Sequence, residues 1–243
     1  MNKQRLDIEL ARRGIVESRS QAESFIKLGK VSVDGKIITK SGQYVSETAD
    51  IVLGVSEQYV SRAGMKLASV AELLGVTFTD AVVLDVGSST GGFTDYALQH
   101  GARKVFAVDV GTDQLHPRLR EDARIELHEK TDIRDFIPSE TPDIIVIDVS
   151  FISLRDILPH LARTTADKHT QIMAMVKPQF EAGRSQTNKG VIKNDSVRRQ
   201  ILKDFELWAK DLFVIVDKRD SDVAGAKGNQ ERFYLLKTAT YSR

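Results

Sequence analysis

The segment Asp85-Val86-Gly87-Ser88-Ser89-Thr90-Gly91-Gly92 follows a short apolar run and opens a helical one. Glycines at such a junction let the backbone approach a ligand, and a helix N-terminus offers free N–H groups. The spacing is not the dinucleotide fingerprint GxGxxG. After Gly87 the next glycines are Gly91 and Gly92, and a carboxylate, Asp85, stands just before the turn. That carboxylate would repel a pyrophosphate but suits the ammonium of a methionine moiety. A second acid, Asp109, ends the next apolar run 24 residues on, where it can accept both ribose hydroxyls of an adenosine. Asp132, after Ile125-Glu126-Leu127, is placed to meet the adenine edge. A glycine-rich turn alone occurs in any doubly wound fold. Two acids at strand ends are not what packing requires, and they point to S-adenosylmethionine.

Four further residues suggest what is done with that cofactor: Lys66, Asp148, Lys177 and Glu231. Asp148 ends the run Ile144–Ile147, where open parallel sheets place their ligands. Lys177 ends Ile172–Val176, and Glu231 opens the last apolar strand, just after Gly228-Asn229. Singly, an acid or lysine at a strand end is more often a solvated loop residue. Together, beside a cofactor loop, they suit methylation of a hydroxyl. A ribose 2′-OH is a poor nucleophile until its proton is removed, and a lysine serves as base only when burial or a second cation lowers its pKa. Lys66 would supply that cation, while Asp148 and Glu231 orient the amines. Transfer then needs mainly in-line positioning. Adenine N6 methylation calls for an Asn/Asp-Pro-Pro-aromatic strand end, whereas this one reads Asp148-Val149-Ser150-Phe151. Cysteine-based C5 methylation of pyrimidines is excluded, because the chain has no cysteine.

The elements that must hold these residues fall into two groups. From Ala81 onward, short runs apolar on both faces alternate with helical segments: Val82–Leu84, Val105–Val108, Ile144–Ile147, Ile172–Val176 and Phe213–Val216. That pattern indicates an α/β fold of Rossmann-like methyltransferase type, with a mostly parallel sheet covered on both sides. Ahead of it, Tyr59 to Leu74 reads as one helix with Leu67, Val70, Ala71 and Leu74 on one face. Residues 1–58 read as a small α+β unit. Two helices carry Leu6, Leu10 and Ile15, then Ala22, Phe25 and Ile26, with Ser18 as N-cap and Gly29 as stop. Asp34-Gly35 between two apolar runs predicts a hairpin, and Ile51-Val52-Leu53 a further strand. Residues 59–243 form the second domain.

The 243 residues carry 35 Lys and Arg against 34 Asp and Glu, a net charge of +1, so nucleic-acid binding must rest on where the basic residues sit. Arg5, Arg12, Arg19, Lys27 and Lys30 lie on or beside the first two helices, interspersed with Asp7, Glu9, Glu17 and Glu23. On charge alone this is an ordinary solvated face. Arg184, Lys189 and Lys193 follow the Lys177 strand in a polar loop, which suits either a hold on RNA near the methyl donor or a plain surface loop. The N-terminus is charged and unlike a secretory signal, and no apolar run spans a membrane. With no cysteine, this fits a cytoplasmic protein without thiolate metal sites.

At these residues the sequence resembles, over nearly its whole length, the TlyA or hemolysin A family, which joins an S4 RNA-binding domain to an FtsJ-like methyltransferase domain. The S4 likeness rests on Arg5-Leu6-Asp7, Ser18 to Ala22, Gly29-Lys30-Val31 and Val33-Asp34-Gly35. Tyr59 to Leu67, including Arg62, matches the linker and helix. Asp85 to Phe93, Ala107 to Gly111, Asp148 to Leu154, Val176 to Glu181 and Gly228 to Glu231 match the methyltransferase part. The Ser-Phe-Ile-Ser-Leu and Lys-Pro-Gln-Phe-Glu stretches are far more specific than the glycine loop. The resemblance implies 2′-O-methylation of cytidine in ribosomal RNA, with ribosomal subunits as partners. It implies a Lys-Asp-Lys-Glu tetrad at Lys66, Asp148, Lys177 and Glu231, cofactor contacts at Asp85, Gly87 to Phe93, Asp109, Val110, Asp132 and Asp148, and RNA contacts at Arg5, Arg12, Arg19, Lys27, Lys30, Arg62, Arg184 and Lys189. One departure stands out: Ser221-Asp222-Val223 replaces the Ser-Pro-Ile turn common in the family. Two other classes remain to be weighed: a non-enzymatic RNA-binding assembly protein with a vestigial cofactor pocket, and a cytolysin, for which no membrane-inserting segment speaks.

Overall fold

A computed structural model describes residues 3–16, 18–27, 29–54, 59–182, 190–192, 194–225 and 228–239. The chain divides into two compact units, Met1–Arg62 and Ala63–Arg243.

The first unit contains β1 (Lys3–Arg5), α1 (Leu6–Arg12), α2 (Arg19–Lys27), β2 (Val31–Val33), β3 (Lys36–Ile38), β4 (Tyr44–Ser46) and β5 (Ile51–Leu53). Asp34 and Gly35 both have positive φ, 49° and 75°, as a two-residue hairpin turn requires. They join β2 to β3, and β5 pairs with the other edge of β2. Ser18 accepts the Gln21 amide at the start of α2. Leu6, Leu10, Phe25, Ile26 and Val31 form the buried centre. The pairing of β1 with β4 has no sequence signal, because Lys3-Gln4-Arg5 lacks apolar alternation.

In the second unit, α3 (Arg62–Ala68) precedes seven strands, β6 (Val82–Val86), β7 (Lys104–Val108), β8 (Ile125–His128), β9 (Ile144–Ile147), β10 (Gln171–Val176), β11 (Phe213–Asp220) and β12 (Arg232–Thr238). They form one sheet in the order β11-β12-β10-β9-β6-β7-β8. The stretch from β10 through β8 is parallel, and β12 runs antiparallel to β10 and β11. The interleaved helices are α4 (Gly92–Gln99), α5 (Pro117–Arg120), α6 (Leu158–Thr164), α7 (Pro178–Glu181) and α8 (Asp195–Ala209). Strands β6 and β9 are buried throughout, as expected of parallel strands covered on both faces. The connection order reverses between β6 and β9, and at such a switch point a crevice opens beyond the strand C-termini.

The helix expected over Tyr59 to Leu74 is shorter: α3 ends at Ala68 and continues as hydrogen-bonded turns to Gly75. The Ser69 hydroxyl donates to the Lys66 carbonyl at 2.7 Å, engaging a carbonyl that regular helix would use. The apolar face survives, with Leu67, Val70, Ala71 and Leu74 all buried.

Candidate active site

Gly87, just past β6, has φ +81°, and a Cβ there would lie 2.8 Å from the Asp148 carbonyl oxygen. Both conformation and space demand glycine, so the loop can pass against the end of β9. Gly91 has φ +91°, and a Cβ there would strike Leu115 and Leu119. The loop is then pinned from β7. Asp109 accepts the Ser89 amide at 2.8 Å through Oδ2 and the Gly111 amide at 2.6 Å through Oδ1. The Ser89 hydroxyl donates to Gln114 at 3.0 Å.

A cavity of about 400 Å³ opens here, a volume usual for small-molecule sites. Its lining includes Gly87, Ser89, Asp109, Val110, Asp132 and Asp148 from the expected cofactor set, together with Gln114, Thr131, Ser150 and Phe151. Asp85, Ser88, Thr90, Gly91, Gly92 and Phe93 do not line it. Phe93 packs against Phe233 of β12, with ring centroids 5.9 Å apart. The Asp132 carboxylate caps the turn Ile133–Asp135 and pairs with Arg134 at 2.6 Å, which holds it down at about 2. Asp85 lies beneath the loop. Its Oδ2 accepts the Thr94 amide and hydroxyl at 2.9 and 2.7 Å, and its Oδ1 is buried without a hydrogen-bond partner among the described residues. Burial pushes this carboxyl up to about 7, with Thr94 opposing and the charge of Asp148 adding to the rise.

Beside the cavity are two buried ion pairs. Lys177 meets Asp148 at 2.5 Å, and Lys66 meets Glu231 at 2.5 Å. The topology explains why four residues so distant in sequence converge. Strands β12, β10 and β9 are consecutive in the sheet, and the pairing of Val176 with Arg232 puts Lys177 and Glu231 at adjoining register positions. Lys66 comes from α3 and is 8% exposed; Glu231 is 2% exposed. Lys177 also donates to the Ser150 hydroxyl at 2.8 Å, and its amine lies 5.9 Å from the centroid of Phe180. The Ser221-Asp222-Val223 turn closes on itself: Ser221 Oγ accepts the Val223 amide at 3.1 Å, and the Ser221 amide donates to the Glu231 carbonyl. A proline at the second position is therefore not needed to shape it.

Sequence reasoning passed over several residues in this region. Ser150, Phe151 and Glu181 lie inside the two specific stretches, and a signal was present in the pairing of those stretches. Phe151 is 91% exposed with φ +68°, a conformation few non-glycine residues adopt. Its ring lies 5.2 Å from that of Phe180. Glu181 accepts the Ser153 hydroxyl at 2.6 Å and the Leu154 amide at 2.7 Å, and burial raises its carboxyl above the usual range.

In the first unit, the arginines expected at RNA are held by two fully buried carboxylates that sequence reasoning treated as solvated. Asp7 binds Arg5 at 2.9 Å and Arg19 at 2.7 Å. Glu9 binds Arg12 and Arg13, each at 2.7 Å. Arg13 also donates to the carbonyls of Ala49 and Glu47. Lys27 and Lys30 are exposed and Arg62 is half-buried. Arg184, Lys189 and Lys193 lie outside the described residues. Among the described residues, no helix is long and apolar enough to cross a membrane, and no cluster of His, Asp and Glu has metal-binding geometry.

Residues 59–238 match the model of the FtsJ-like methyltransferases, and residues 4–51 match the S4 domain. The fold and cavity are those of a methyltransferase of this class, preceded by an S4 domain. The chain is 37% identical to the 16S/23S rRNA (cytidine-2′-O)-methyltransferase TlyA of Mycobacterium tuberculosis, covering 97% of this chain and 90% of that protein. It is 38% identical to Hemolysin A of Brachyspira hyodysenteriae, covering 93% and 97% respectively. A solved structure from Streptococcus thermophilus, described as a hemolysin, superposes with a TM-score of 0.73 at 37% identity, over 99% of this chain and 90% of that one. The chain belongs to the TlyA/hemolysin A family.

Proposed function

We propose that this chain transfers a methyl group from S-adenosylmethionine to a ribose 2′-hydroxyl of ribosomal RNA, with cytidine the nucleotide and Lys177 the general base. The observation that carries this reading is the pair of buried lysine–carboxylate contacts at one end of β9, β10 and β12, beside the cavity. The cavity fits the cofactor: Gly87 leaves a cradle that a Cβ would fill, and Asp109 presents a carboxylate at its wall. Asp85 leaves one buried oxygen without a hydrogen-bond partner among the described residues beneath the loop, an acceptor for a donor group of the ligand. Bound there, S-adenosylmethionine supplies an electrophilic methyl group.

The chain's own residues do the rest. Asp148 and Ser150 fix the Lys177 amine at the rim. Lys177, after losing its own proton to solvent, takes the proton of the ribose hydroxyl, and the resulting ammonium is held by Asp148. Lys66 is neutralised by Glu231 at the adjoining position of β12, and so does not stand as a free second cation. The exposed Phe151 ring offers a face on which an unstacked base can lie. Residues 1–58 form the RNA-binding domain, with Arg5, Arg12 and Arg19 turned to phosphates, and residues 59–243 the catalytic domain. Support for RNA as acceptor comes from the S4 match and from the activity named for the Mycobacterium relative.

The test is mass-spectrometric mapping of ribose methylation in ribosomal RNA, from cells with and without the active protein. The expected result is a 2′-O-methylcytidine that disappears with the protein. An unchanged ribose map, or methylation found on a base, overturns the reading.

A further inference from the structure

The loop after β9 and the turn at α7 are fastened together by a side chain to which the chemistry above gives no part. Glu181, at the end of α7, has a side chain only 2% exposed. Both its oxygens are committed to the other loop, Oε2 to the Ser153 hydroxyl at 2.6 Å and Oε1 to the Leu154 amide at 2.7 Å, with Arg155 Nε 3.8 Å away. Burying a carboxylate is costly, and short charge-assisted hydrogen bonds are what offset it. The loop so fixed carries Ser150, which accepts from Lys177, and Phe151, an exposed ring on a left-handed backbone. A non-glycine residue stays in that conformation only when its surroundings hold it there. Phe180, one residue before Glu181, meets the Phe151 ring at 5.2 Å. The two family stretches, Ser150 to Leu154 and Lys177 to Glu181, are thus one physical unit joined at both ends.

We propose, resting on the reading of function above, that Glu181 is a positioning residue for the RNA acceptor, holding the Ser150–Phe151 segment at the cavity mouth. It governs RNA engagement and turnover far more than cofactor binding: Ser150 and Phe151 reach the cavity wall, but the cofactor loop itself is pinned by Asp109.

The experiment compares full-length wild type with Glu181→Ala, Ser153→Ala and the double variant. Transfer of labelled methyl groups to ribosomal subunits is read alongside calorimetric S-adenosylmethionine affinity and hydrogen exchange. In Glu181→Ala, kcat/KM for RNA falls by about tenfold or more, the size of one lost charged hydrogen bond. Cofactor affinity stays within about twofold, and exchange quickens at residues 150–155 but not at residues 85–93. Ser153→Ala, a smaller lesion, shows a weaker loss in the same direction, and the double variant is no worse than Glu181→Ala. Unchanged RNA kinetics in Glu181→Ala, equal loss of cofactor affinity, or additive losses in the double variant overturn the proposal. If wild type transfers no methyl group to RNA, the reading of function fails. Exchange then decides for Glu181 by itself: unchanged protection at 150–155 overturns its hold on the loop, and quickened exchange upholds it.

Discussion

Carboxylates are buried in both units of this molecule, and their partners differ in kind. In the first unit, Asp7 and Glu9 each bind two arginines, and the guanidiniums of Arg12 and Arg19 remain more than half exposed. In the second, the part-buried Asp148 and the buried Glu231 each bind one lysine, and both lysine side chains are 10% exposed. A guanidinium keeps its proton at any physiological pH and presents a rigid fork, so two arginines on one acid leave a fixed surplus positive charge. That suits phosphate. A lysine, unlike an arginine, can give up its proton and then accept one from a hydroxyl, its ammonium form being held by the acid beside it. Under the proposed function, that suits base catalysis. Under the proposed function, acidic side chains therefore serve recognition in one unit and chemistry in the other, according to the cation set against them.

The largest expected effect tests the proton rather than the charge. Lys177→Arg keeps the cation beside Asp148 but removes the base. Methyl transfer should fall by at least about 100-fold, as for loss of a general base, with cofactor affinity retained. A variant with near-normal turnover would break the contrast between the units. Next is stability. Glu231→Ala strands Lys66 in the interior and should cost about 3 kcal/mol in denaturant unfolding. A loss comparable to that of an exposed pair would mean that Lys66 finds water on its own.

The pH dependence should have opposite signs at Asp85 in the second unit and Glu9 in the first. Burial raises Asp85 from 3.8 to about 7, so its contribution to stability is full below its unfolded value and is lost as pH rises through about 7. Asp85→Asn should flatten that decline, measured by thermal unfolding between pH 4 and 8. Glu9 is lowered from 4.5 to about 2, chiefly by its hydrogen bonds to Arg12, with burial opposing and Arg13 adding to the fall. Its contribution is present above pH 4.5 and disappears as pH falls through about 2. The deficit of Glu9→Gln against wild type should therefore shrink on acidification; a constant deficit would mean that packing, not charge, holds α1. The smallest effect concerns Arg12. Arg12→Ala should lower the salt slope of RNA binding by about 1, and Arg12→Lys should keep the slope while weakening affinity only a few-fold.

Much of this molecule was legible in the chain because the signals were local. Doubly apolar strands announce a covered parallel sheet, Asp34-Gly35 a hairpin, and the glycine segment from Gly87 a turn that opens a helix. Asp148, Lys177 and Glu231 stand out in the sequence because each is at a boundary where an apolar run starts or stops, whereas Lys66, inside a helical stretch, has no such marker. Where reading failed, the cause was a partner far away in sequence. Asp7 and Glu9 look solvated between arginines, and only their full burial shows that they organise those arginines. The hold of Thr94 on the Asp85 carboxylate beneath the loop is likewise a contact that no turn rule shows. Glu181 looked like the polar end of a motif.

The sequence by itself determined which residues are available and roughly where each element begins and ends, because periodicity, turn chemistry and glycine requirements act within a few residues. Pairing was decided by the tertiary structure. The antiparallel return of β12 beside β10 puts Glu231 next to Lys177, and α3 brings Lys66 to Glu231 rather than to Asp148. No local rule chooses between those partners. Desolvation does, because a charge carried into the interior must meet its opposite there, and the order of strands in the sheet settles which one it meets.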